Sequence, residues 1–383
     1  MAAPNFVGRN VHKLEKLSNI LADFTATRFS ANLKASKQRK PIVQRMNNII
    51  CGKNSKIVPL GSTVTKLMFD DKSDMDLSFM TMDKKFWSEF QRFTDLKMVF
   101  LDTVAQMVKK EFHIKEYVAL SYLNLPLLIL YTNENFRIDI QFPTFSFQGI
   151  RNTHLADIRF AQMFFYVRAL FDTLGLLNSR EALFSGYHII CLIIHFLQRT
   201  DSSEPPVLPV LYERYPERFS LELPIEDIIQ QNDTPENNLE PLGWKSENTK
   251  KVGELIVDFF DYYGNVFDAR TKGIQLQNGK ISNLRKVHSD VHYHLIINDP
   301  YETSSICRSD IIPYLLRPTF SYIWKAIVER GEFLDTFPHF SDEKNAFHKA
   351  FSNEFWADIL FMDKDSTPII DHFKQKMTRT CAT

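Results

Sequence analysis

The pattern of hydrophobic and polar positions changes along the chain and separates helical from strand-rich regions. Residues 9–50 have the periodicity of a helix, and the pattern becomes helical again from Leu155 onward. Between them, residues 52–150 contain short apolar runs typical of strands. A long amphipathic stretch from Lys84 to Phe112 interrupts these runs, and we expect it to pack across the sheet. The pattern therefore predicts a strand-rich region between two helical ones.

Two neighbouring segments of the strand-rich region carry the residues of chemical interest. Val58–Thr63 reads as a strand followed by a turn at Gly61-Ser62 that opens a helix. Ser73–Phe79 reads as a second strand that bears Asp74 and Asp76. Because successive side chains of a strand alternate between its two faces, we expect these two carboxylates to share one face.

A third carboxylate, Asp139, is predicted to join them. The apolar runs Leu125–Tyr131 and Phe136–Phe142 look like a hairpin around Thr132–Asn135. This hairpin would place Asp139 on a strand beside the one that carries Asp74 and Asp76. The three carboxylates would then converge at one edge of the sheet.

These residue types suit metal-assisted phosphoryl transfer. A glycine lets the backbone approach a triphosphate, and the Ser62 hydroxyl and the amides of a helix start supply donors to phosphate oxygens. Carboxylates on one face can bridge two Mg²⁺ or Mn²⁺ ions about 3.5–4 Å apart. The alternative is a solvated strand end with a surface Asp139. A bare Asp-x-Asp pattern favours that alternative, whereas the Gly61-Ser62 turn and the third aspartate favour a metal site.

With these motifs the chain resembles the polymerase beta-like nucleotidyltransferases. Within them it is similar to the noncanonical poly(A) polymerases and terminal uridylyltransferases, which extend RNA 3′ ends. Three further segments match that family in order, over roughly residues 55–310. They are Asn152-Thr153, the aromatic stretch Gly253–Gly264, and Asp299-Pro300-Tyr301-Glu302 with Arg308 behind it.

The resemblance implies an α+β fold with a mixed-sheet catalytic domain and a mostly helical poly(A)-polymerase-associated domain. Residues 1–50 would be helices that pack on the helical domain, 51–152 the catalytic domain, and 153–383 the helical domain. The associated region would cover about 250–310, and a Pro/Asn/Glu-rich stretch at about 201–247 would form loops of the helical domain. The nucleotide would bind in the cleft between the domains.

The resemblance also implies roles for individual residues. Asp74, Asp76 and Asp139 would be the catalytic residues and would hold the two ions. The residues implied to bind the nucleoside triphosphate substrate are Gly61, Ser62, Asn152, Thr153, Arg168, Ser185, Tyr187 and Glu302.

Two positions depart from the family pattern. Family members carry two lysines four apart that reach the phosphates, and here the matching residues are Arg168 and Asp172. A family Ser-Tyr pair corresponds to Gly186-Tyr187, so that its hydroxyl is lost unless Ser185 replaces it. A weak or catalytically silent member that acts as an RNA-regulatory scaffold is therefore an alternative to an active enzyme.

The added nucleotide is left open by the sequence. Uridylyltransferases often carry a histidine just beyond the Asp-Pro-Phe segment, and none occurs in Tyr301–Arg308. Selectivity for uridine is therefore unsupported, whereas adenylation and relaxed or mixed addition, such as tails of U and G, remain open. A small-molecule or protein acceptor is the other possibility, and Asp299–Tyr301 and the two-domain length argue against it.

Charge and cysteine content extend the picture to partners and compartment. The chain has 46 Lys and Arg against 46 Asp and Glu, so long-range attraction to RNA is weak and we expect a protein adaptor. A basic cluster is either a solvated helix face or an RNA-backbone contact; it comprises Lys34, Lys37, Arg39 and Lys40. The 4 cysteines lack C-x-x-C spacing, which indicates a reducing compartment. Without a signal peptide or a long apolar run, we expect no membrane and a cytoplasmic, RNA-granule or perinuclear location, with the nucleus left open.

Two histidine patterns receive weaker interpretations. His288, His292 and His294 have spacing that could suit zinc, but nothing completes a ligand set. His188, Cys191 and His195 lie at helical spacing in an apolar segment, where core packing is the better interpretation.

Overall fold

The computed structural model describes most of the chain before residue 341. The described residues are 3–70, 73–123, 126–134, 136–142, 156–179, 182–199, 203–219, 223, 227, 230, 242–269, 271–283, 295–298, 305–309 and 311–340. The chain divides into two compact units. The sheet unit comprises Ala26–Leu155 and Tyr215–Gly243, and the helical unit comprises Met1–Thr25, Ala156–Arg214 and Trp244–Thr383.

These units divide the chain at other residues than the predicted domains. The sheet unit begins at Ala26, inside the long first helical region, whereas residue 51 was the predicted start of the catalytic domain. The segment Tyr215–Gly243, expected as loops of the helical domain, belongs to the sheet unit.

Up to residue 261 the described helices and strands follow the predicted order, whereas three strands after it lie in the region predicted as helical. The helices are α1 Ala3–Arg9, α2 Val11–Ile50, α3 Gly61–Thr65, α4 Lys84–Arg92, α5 Thr94–Glu111, α6 Arg159–Thr173, α7 Gly186–Gln198, α8 Leu211–Arg214, α9 Pro216–Phe219, α10 Val252–Asp261 and α11 Ile312–Lys325, with π-helical turns at Tyr262–Val266 and Ala326–Arg330. The strands are β1 Ser55–Pro59, β2 Met75–Thr81, β3 Ile114–Leu120, β4 Leu127–Thr132, β5 Arg137–Gln141, β6 Lys272–Gln275, β7 Lys280–Asn283 and β8 Ile297–Asn298.

The sheet unit is built on a mixed five-stranded sheet with the order β1-β2-β5-β4-β3. Strands β2 and β5 are parallel, and the other neighbouring pairs are antiparallel. The predicted hairpin is the β4–β5 pair, in which Ile129 lies opposite Asp139. This order places the strand of Asp139 directly beside the strand of Asp76.

Helices α4 and α5 arise from the amphipathic stretch predicted as one segment. The helical conformation is interrupted at Phe93, whose extended backbone (φ −112°, ψ 112°) ends α4 and precedes α5. Both helices contribute to a core of apolar side chains from the sheet, and Phe90, Phe100 and Phe142 pack there with ring centroids 5.4–5.9 Å apart. Burying such rings is the main force that fixes the helices on the sheet.

The C-terminal half of α2 is fastened to the edge strand β1. The Asn47 side chain donates to the Ile57 carbonyl and accepts from the Ile57 N–H, both at 2.8 Å. One amide side chain thus satisfies two backbone groups of an edge strand, which would otherwise need water or another strand.

The helical unit is held by close backbone contacts and buried aromatic rings. A Cβ at Gly253 of α10 would lie 2.5 Å from the Leu14 carbonyl oxygen of α2, so only glycine allows this approach. The Gly253 N–H donates to the Ser18 hydroxyl at 3.0 Å. A three-stranded sheet with the order β7-β6-β8 belongs to the same unit.

The apolar helix α7 supplies part of this core. His195 is fully buried, and its Nδ1 lies 2.8 Å from the Tyr263 hydroxyl, which donates to the Leu192 carbonyl. Core packing of Cys191 and His195 is thus confirmed. In contrast, His188 is half-buried and caps the start of α7. Among the described residues no helix is both long and apolar enough to cross a membrane.

Candidate active site

The turn at Gly61 is packed against a carboxylate of the neighbouring strand. Gly61 begins α3 with φ +56°, and a Cβ there would lie 2.2 Å from Oδ2 of Asp76. The Leu60 N–H donates to the Asp76 carbonyl at 2.8 Å, which holds the turn beside β2. Only glycine combines this backbone conformation with this contact. Ser62, the next residue, is half-buried.

Two of the three predicted carboxylates are direct neighbours in the sheet. Asp76 and Asp139 are paired in the parallel register of β2 and β5. Asp139 is 7% exposed, whereas the Asp74 side chain, one residue before β2, is 44% exposed. The structure therefore brings Gly61, Asp76 and Asp139 together, with Asp74 at the entrance to the strand.

A cationic side chain that sequence reasoning missed lies among these carboxylates. Arg137 donates from Nε to Asp139 Oδ1 at 2.7 Å and from Nη2 to Asp139 Oδ2 at 2.6 Å. Its Nη1 lies 3.3 Å from Oδ2 of Asp74. A usable signal existed, because Arg137 and Asp139 are two apart on one strand and so share a face.

The electrostatics of Asp76 show that negative charge is crowded here. The pKa of Asp76 is raised to about 7, chiefly by burial and also by the nearby Asp139 and Asp74, while Arg137 and Arg39 act in the opposite direction. An ionised Asp76 is therefore disfavoured unless additional positive charge approaches. Divalent cations supply such charge.

The donor set fits Mg²⁺ or Mn²⁺ in its chemistry. Carboxylate oxygens are the ligands that hard divalent cations prefer. Within the part of the chain that the structure describes, however, no three side chains of ligating type are gathered closely enough to hold a metal as they stand. The Arg137 guanidinium is instead shared between Asp74 and Asp139.

The helical unit brings together a second group of predicted residues. Arg168 lies on α6, and a Cβ at Gly186 would be 3.3 Å from Arg168 Nη1, so the guanidinium lies beside the start of α7. Ser185 caps that helix, since its hydroxyl accepts from the His188 N–H at 3.1 Å. Tyr187 is half-buried, and Asp172, one helical turn after Arg168, is exposed.

Several predicted positions lie outside the described residues. These are Asn152, Thr153, Asp299–Glu302 and the histidines His288, His292 and His294. Of the basic cluster, Lys34, Lys37 and Lys40 are exposed on α2, but Arg39 is buried at 5% exposure.

Two stretches of the chain match models of known protein families. Residues 17–158 match the family model described as the central palm domain of a mitochondrial-like poly(A) RNA polymerase. Residues 251–305 match the model described as Cid1 family poly A polymerase. These two stretches of the chain are similar to the poly(A) polymerases that the two models describe. The first match contains Gly61 and all three carboxylates, and the second contains α10 and β6–β8. The resemblance to this branch of the polymerase beta-like superfamily is thereby confirmed.

Individual relatives of this family match parts of the chain. "Poly(A) RNA polymerase gld-2 homolog A" of Drosophila melanogaster is 27% identical over 198 residues, which are 48% of this chain and 14% of the relative. The chain thus spans a small part of the length of that curated relative.

Two solved structures with similar folds confirm the predicted α+β fold. A structure of a GLD-2/RNP-8 complex has a TM-score of 0.64 at 18% identity and covers 84% of this chain and 97% of that one. A Cid1 poly(U) polymerase structure has a TM-score of 0.57 at 19% identity and covers 79% of this chain and 94% of that one.

Proposed function

We propose that this protein adds ribonucleotides to RNA 3′ ends without a template. The observation that carries the proposal is the packing of the Gly61 turn against Asp76, which is paired with Asp139 across β2 and β5. A glycine turn of the kind that lets a triphosphate approach the backbone thus lies directly beside carboxylates that suit divalent cations. The similarity of residues 17–158 and 251–305 to poly(A) polymerases supports the same reaction.

The carboxylates would hold the ions that this reaction requires. Asp74 and Asp76 would bind both Mg²⁺ or Mn²⁺ ions and Asp139 the one nearest the RNA primer. Bound there, the ions would stabilise negative charge on the attacking and leaving oxygens. The RNA 3′ hydroxyl attacks the α-phosphate of the nucleoside triphosphate, a new phosphodiester bond forms, and pyrophosphate leaves.

Other residues would orient the triphosphate. Gly61 would let the departing phosphates approach the backbone, and the Ser62 hydroxyl would donate to one of their oxygens. The guanidinium of Arg168 can bind phosphate oxygens bidentately, because its fork of donors matches their geometry. Ser185, which already caps α7, would replace the hydroxyl lost at Gly186.

The remaining assignments concern the base and the ribose. The Tyr187 ring would stack on the base. Asn152 would contact the ribose, Thr153 would assist it, and Glu302 would lie near the base edge. We leave the nucleotide as A, U or a mixture such as U and G.

An adaptor protein and a cytoplasmic, RNA-granule or perinuclear location complete the proposal, with the nucleus left open. The net charge of zero gives little long-range attraction to RNA, so affinity for a target must come from local patches or from a partner. The GLD-2 structure reported above is that of a complex with RNP-8, which supports recruitment through a protein.

Primer extension tests the proposal directly. Purified protein is incubated with a labelled RNA primer and Mg²⁺ or Mn²⁺, with each nucleoside triphosphate separately and then with all four. We expect a ladder that disappears in the Asp74→Ala/Asp76→Ala double variant, whose fold is checked by circular dichroism. Extension that persists in a folded double variant would contradict the assignment of the carboxylates.

A silent family member is the second candidate. It is favoured by Asp172, an exposed carboxylate four residues after Arg168, which would repel a triphosphate. The missing hydroxyl at Gly186 points the same way. This candidate predicts weak nucleotide binding and no extension with any triphosphate, whereas the first predicts both binding and extension.

A further inference from the structure

One face of helix α2 is hydrogen-bonded along the segment that joins Gly61 to Asp76. The face consists of a polar stripe of residues three or four apart, Arg28, Asn32, Ser36 and Arg39. Such spacing places side chains on one side of a helix. Each member of the stripe donates to a backbone or side-chain oxygen between residues 63 and 74.

The first three members of the stripe hold the end of α3. Arg28 Nε donates to the Met68 carbonyl at 3.3 Å, and Asn32 Nδ2 donates to the Lys66 carbonyl at 2.7 Å. The Ser36 hydroxyl donates to the Thr63 carbonyl at 3.2 Å. Lys66 has a left-handed backbone (φ 58°), a conformation that costs a non-glycine residue about 1 kcal/mol, and these bonds help to hold it.

Arg39 connects this segment to the carboxylates. Its Nη1 donates to the Thr63 hydroxyl at 2.7 Å and to the Asp74 carbonyl at 3.1 Å, and its Nη2 donates to the Ser73 carbonyl. Thr63 follows the Gly61-Ser62 turn directly, and Asp74 is the first of the three carboxylates. A single guanidinium therefore binds both halves of the candidate site.

Burial makes this connection stiff. Arg39 is 5% exposed, and its guanidinium lies 5.2 Å from the centre of the Phe136 ring. A buried arginine is stable only when its donors are satisfied, so its position depends on the acceptors that it holds and theirs on it. Its planar fork reaches several acceptors at once, which the single ammonium of a lysine cannot do in the same geometry.

We propose that Arg39 is a positioning residue for nucleotidyl transfer, which fixes the distance between the Gly61-Ser62 turn and Asp74. This inference rests on the proposed function. A misplacement of about 1 Å at a reacting centre can cost roughly 100-fold in rate, so the loss of this bridge acts on the chemical step. The role differs from that of the exposed lysines of the basic cluster, which have no contact of this kind with Thr63 or Asp74 among the bonds described here.

The test compares Arg39→Gln and Arg39→Lys with Arg45→Gln. Arg45 is a matched control, because it lies on the same helix, and its guanidinium is bonded to Glu111 and lies 4.6 Å from the Phe112 ring centre, away from the carboxylates. We expect Arg39→Gln to lower kcat by about 10- to 100-fold, with the KM for RNA within about threefold of wild type. The kcat of Arg39→Lys should lie between those of Arg39→Gln and the wild type. The kcat of Arg45→Gln should equal that of the wild type.

Single-turnover rates, expressed per folded molecule, distinguish a loss of positioning in the active site from a loss of folded protein. A variant that merely unfolds loses active fraction and melting temperature but keeps its rate per active site. Thr63→Val provides a second approach, because it removes one acceptor of Arg39 without touching the arginine. The double variant with Arg39→Gln should then be little worse than Arg39→Gln alone, since both changes remove the same bond.

The outcomes distinguish this inference from the proposed function. Wild-type extension with an unchanged rate in folded Arg39→Gln, or additive effects in the double variant, overturns the role of Arg39 alone. If the wild-type protein extends no primer, the binding of ATP or UTP in the presence of Mn²⁺ is measured by titration for the wild type and both variants. Weaker binding in Arg39→Gln than in Arg45→Gln supports Arg39, whereas the absence of any nucleotide binding overturns both proposals.

Discussion

The guanidinium of Arg137 donates two hydrogen bonds to the carboxylate of Asp139, at 2.7 Å and 2.6 Å. The same guanidinium lies 3.3 Å from a carboxylate oxygen of Asp74. Arg137 thus supplies positive charge at the place where divalent cations would supply it. Its side chain and those cations should compete for the same oxygens.

Replacing Arg137 by Gln is expected to destabilise the metal-free protein and to strengthen its response to metal. Asp139 would be left buried without its ion pair, at a cost on the order of 1–3 kcal/mol. Thermal melts with and without Mn²⁺ measure both effects, and Mn²⁺ should raise the melting temperature of the variant more than that of the wild type. Arg45→Gln is the control, because its partner Glu111 is exposed and such pairs contribute little. Equal Mn²⁺ responses of wild type and Arg137→Gln would argue against competition.

Replacing Asp76 by Asn is expected to stabilise the metal-free protein while abolishing extension. The pKa of Asp76 is raised from 3.8 to about 7, mainly by burial, so the folded chain holds this proton more tightly than the unfolded chain. The resulting cost is absent below pH 3.8, grows as the pH rises and is complete above about pH 7. In EDTA at pH 8 the variant should gain on the order of 4 kcal/mol, and the gain should shrink towards pH 4. Asp74→Asn, at a half-exposed position, should change the stability less; an equal gain there would point to general charge reduction.

Replacing Gly61 by Ala tests the close contact with Asp76. The added Cβ would lie 2.2 Å from the carboxylate, and the left-handed backbone (φ +56°) adds a further cost of about 1–2 kcal/mol. We expect lower stability in urea melts and loss of primer extension. Gly243→Ala is a matched control, because Gly243 has φ +63° in the same unit but nothing within 4 Å of its Cβ position. If both variants lose equal stability and both extend RNA, the close contact between Gly61 and Asp76 is required neither for stability nor for extension.

Replacing Asp172 by Lys is expected to lower the KM for the nucleoside triphosphate, by roughly 3- to 10-fold. The new ammonium would stand four residues after Arg168 on α6, so that two cations would share one helix face. Initial rates at varied triphosphate concentration measure the effect. Glu329→Lys makes the same charge change at another exposed position of the helical unit. An identical decrease in KM in both variants would indicate bulk charge rather than a phosphate contact.

The sequence predicted the elements whose signals are local. The strand of Asp76, the hairpin that carries Asp139 and the turn at Gly61 all follow from apolar runs and punctuating residues, and the structure has each of them. The break at Phe93 was missed, because the amphipathic pattern continues across it while the backbone does not. Arg137 and Arg39, which lie beside the carboxylates, were missed for different reasons. Arg137 could have been found from its spacing to Asp139.

Arg39 could not have been found from the sequence in this way. It stands among lysines that are exposed, and nothing in the run Lys34–Lys40 distinguishes the one side chain that is buried. Its partners Thr63 and Asp74 lie 24 and 35 residues away in the chain. Only the placement of α2 along the segment before β2 reveals its role.

The contact between Ser18 and Gly253 affects the order in which the two units can form during translation. These residues form a 3.0 Å hydrogen bond across 235 positions of sequence. At roughly 5–20 residues per second, a ribosome needs about 10–50 s to make the intervening chain. During that interval the start of α2 exists without α10, and residues 26–155 are synthesised in its first part. The helical unit is therefore closed late in translation, by a segment that arrives after most of the sheet unit has had time to fold.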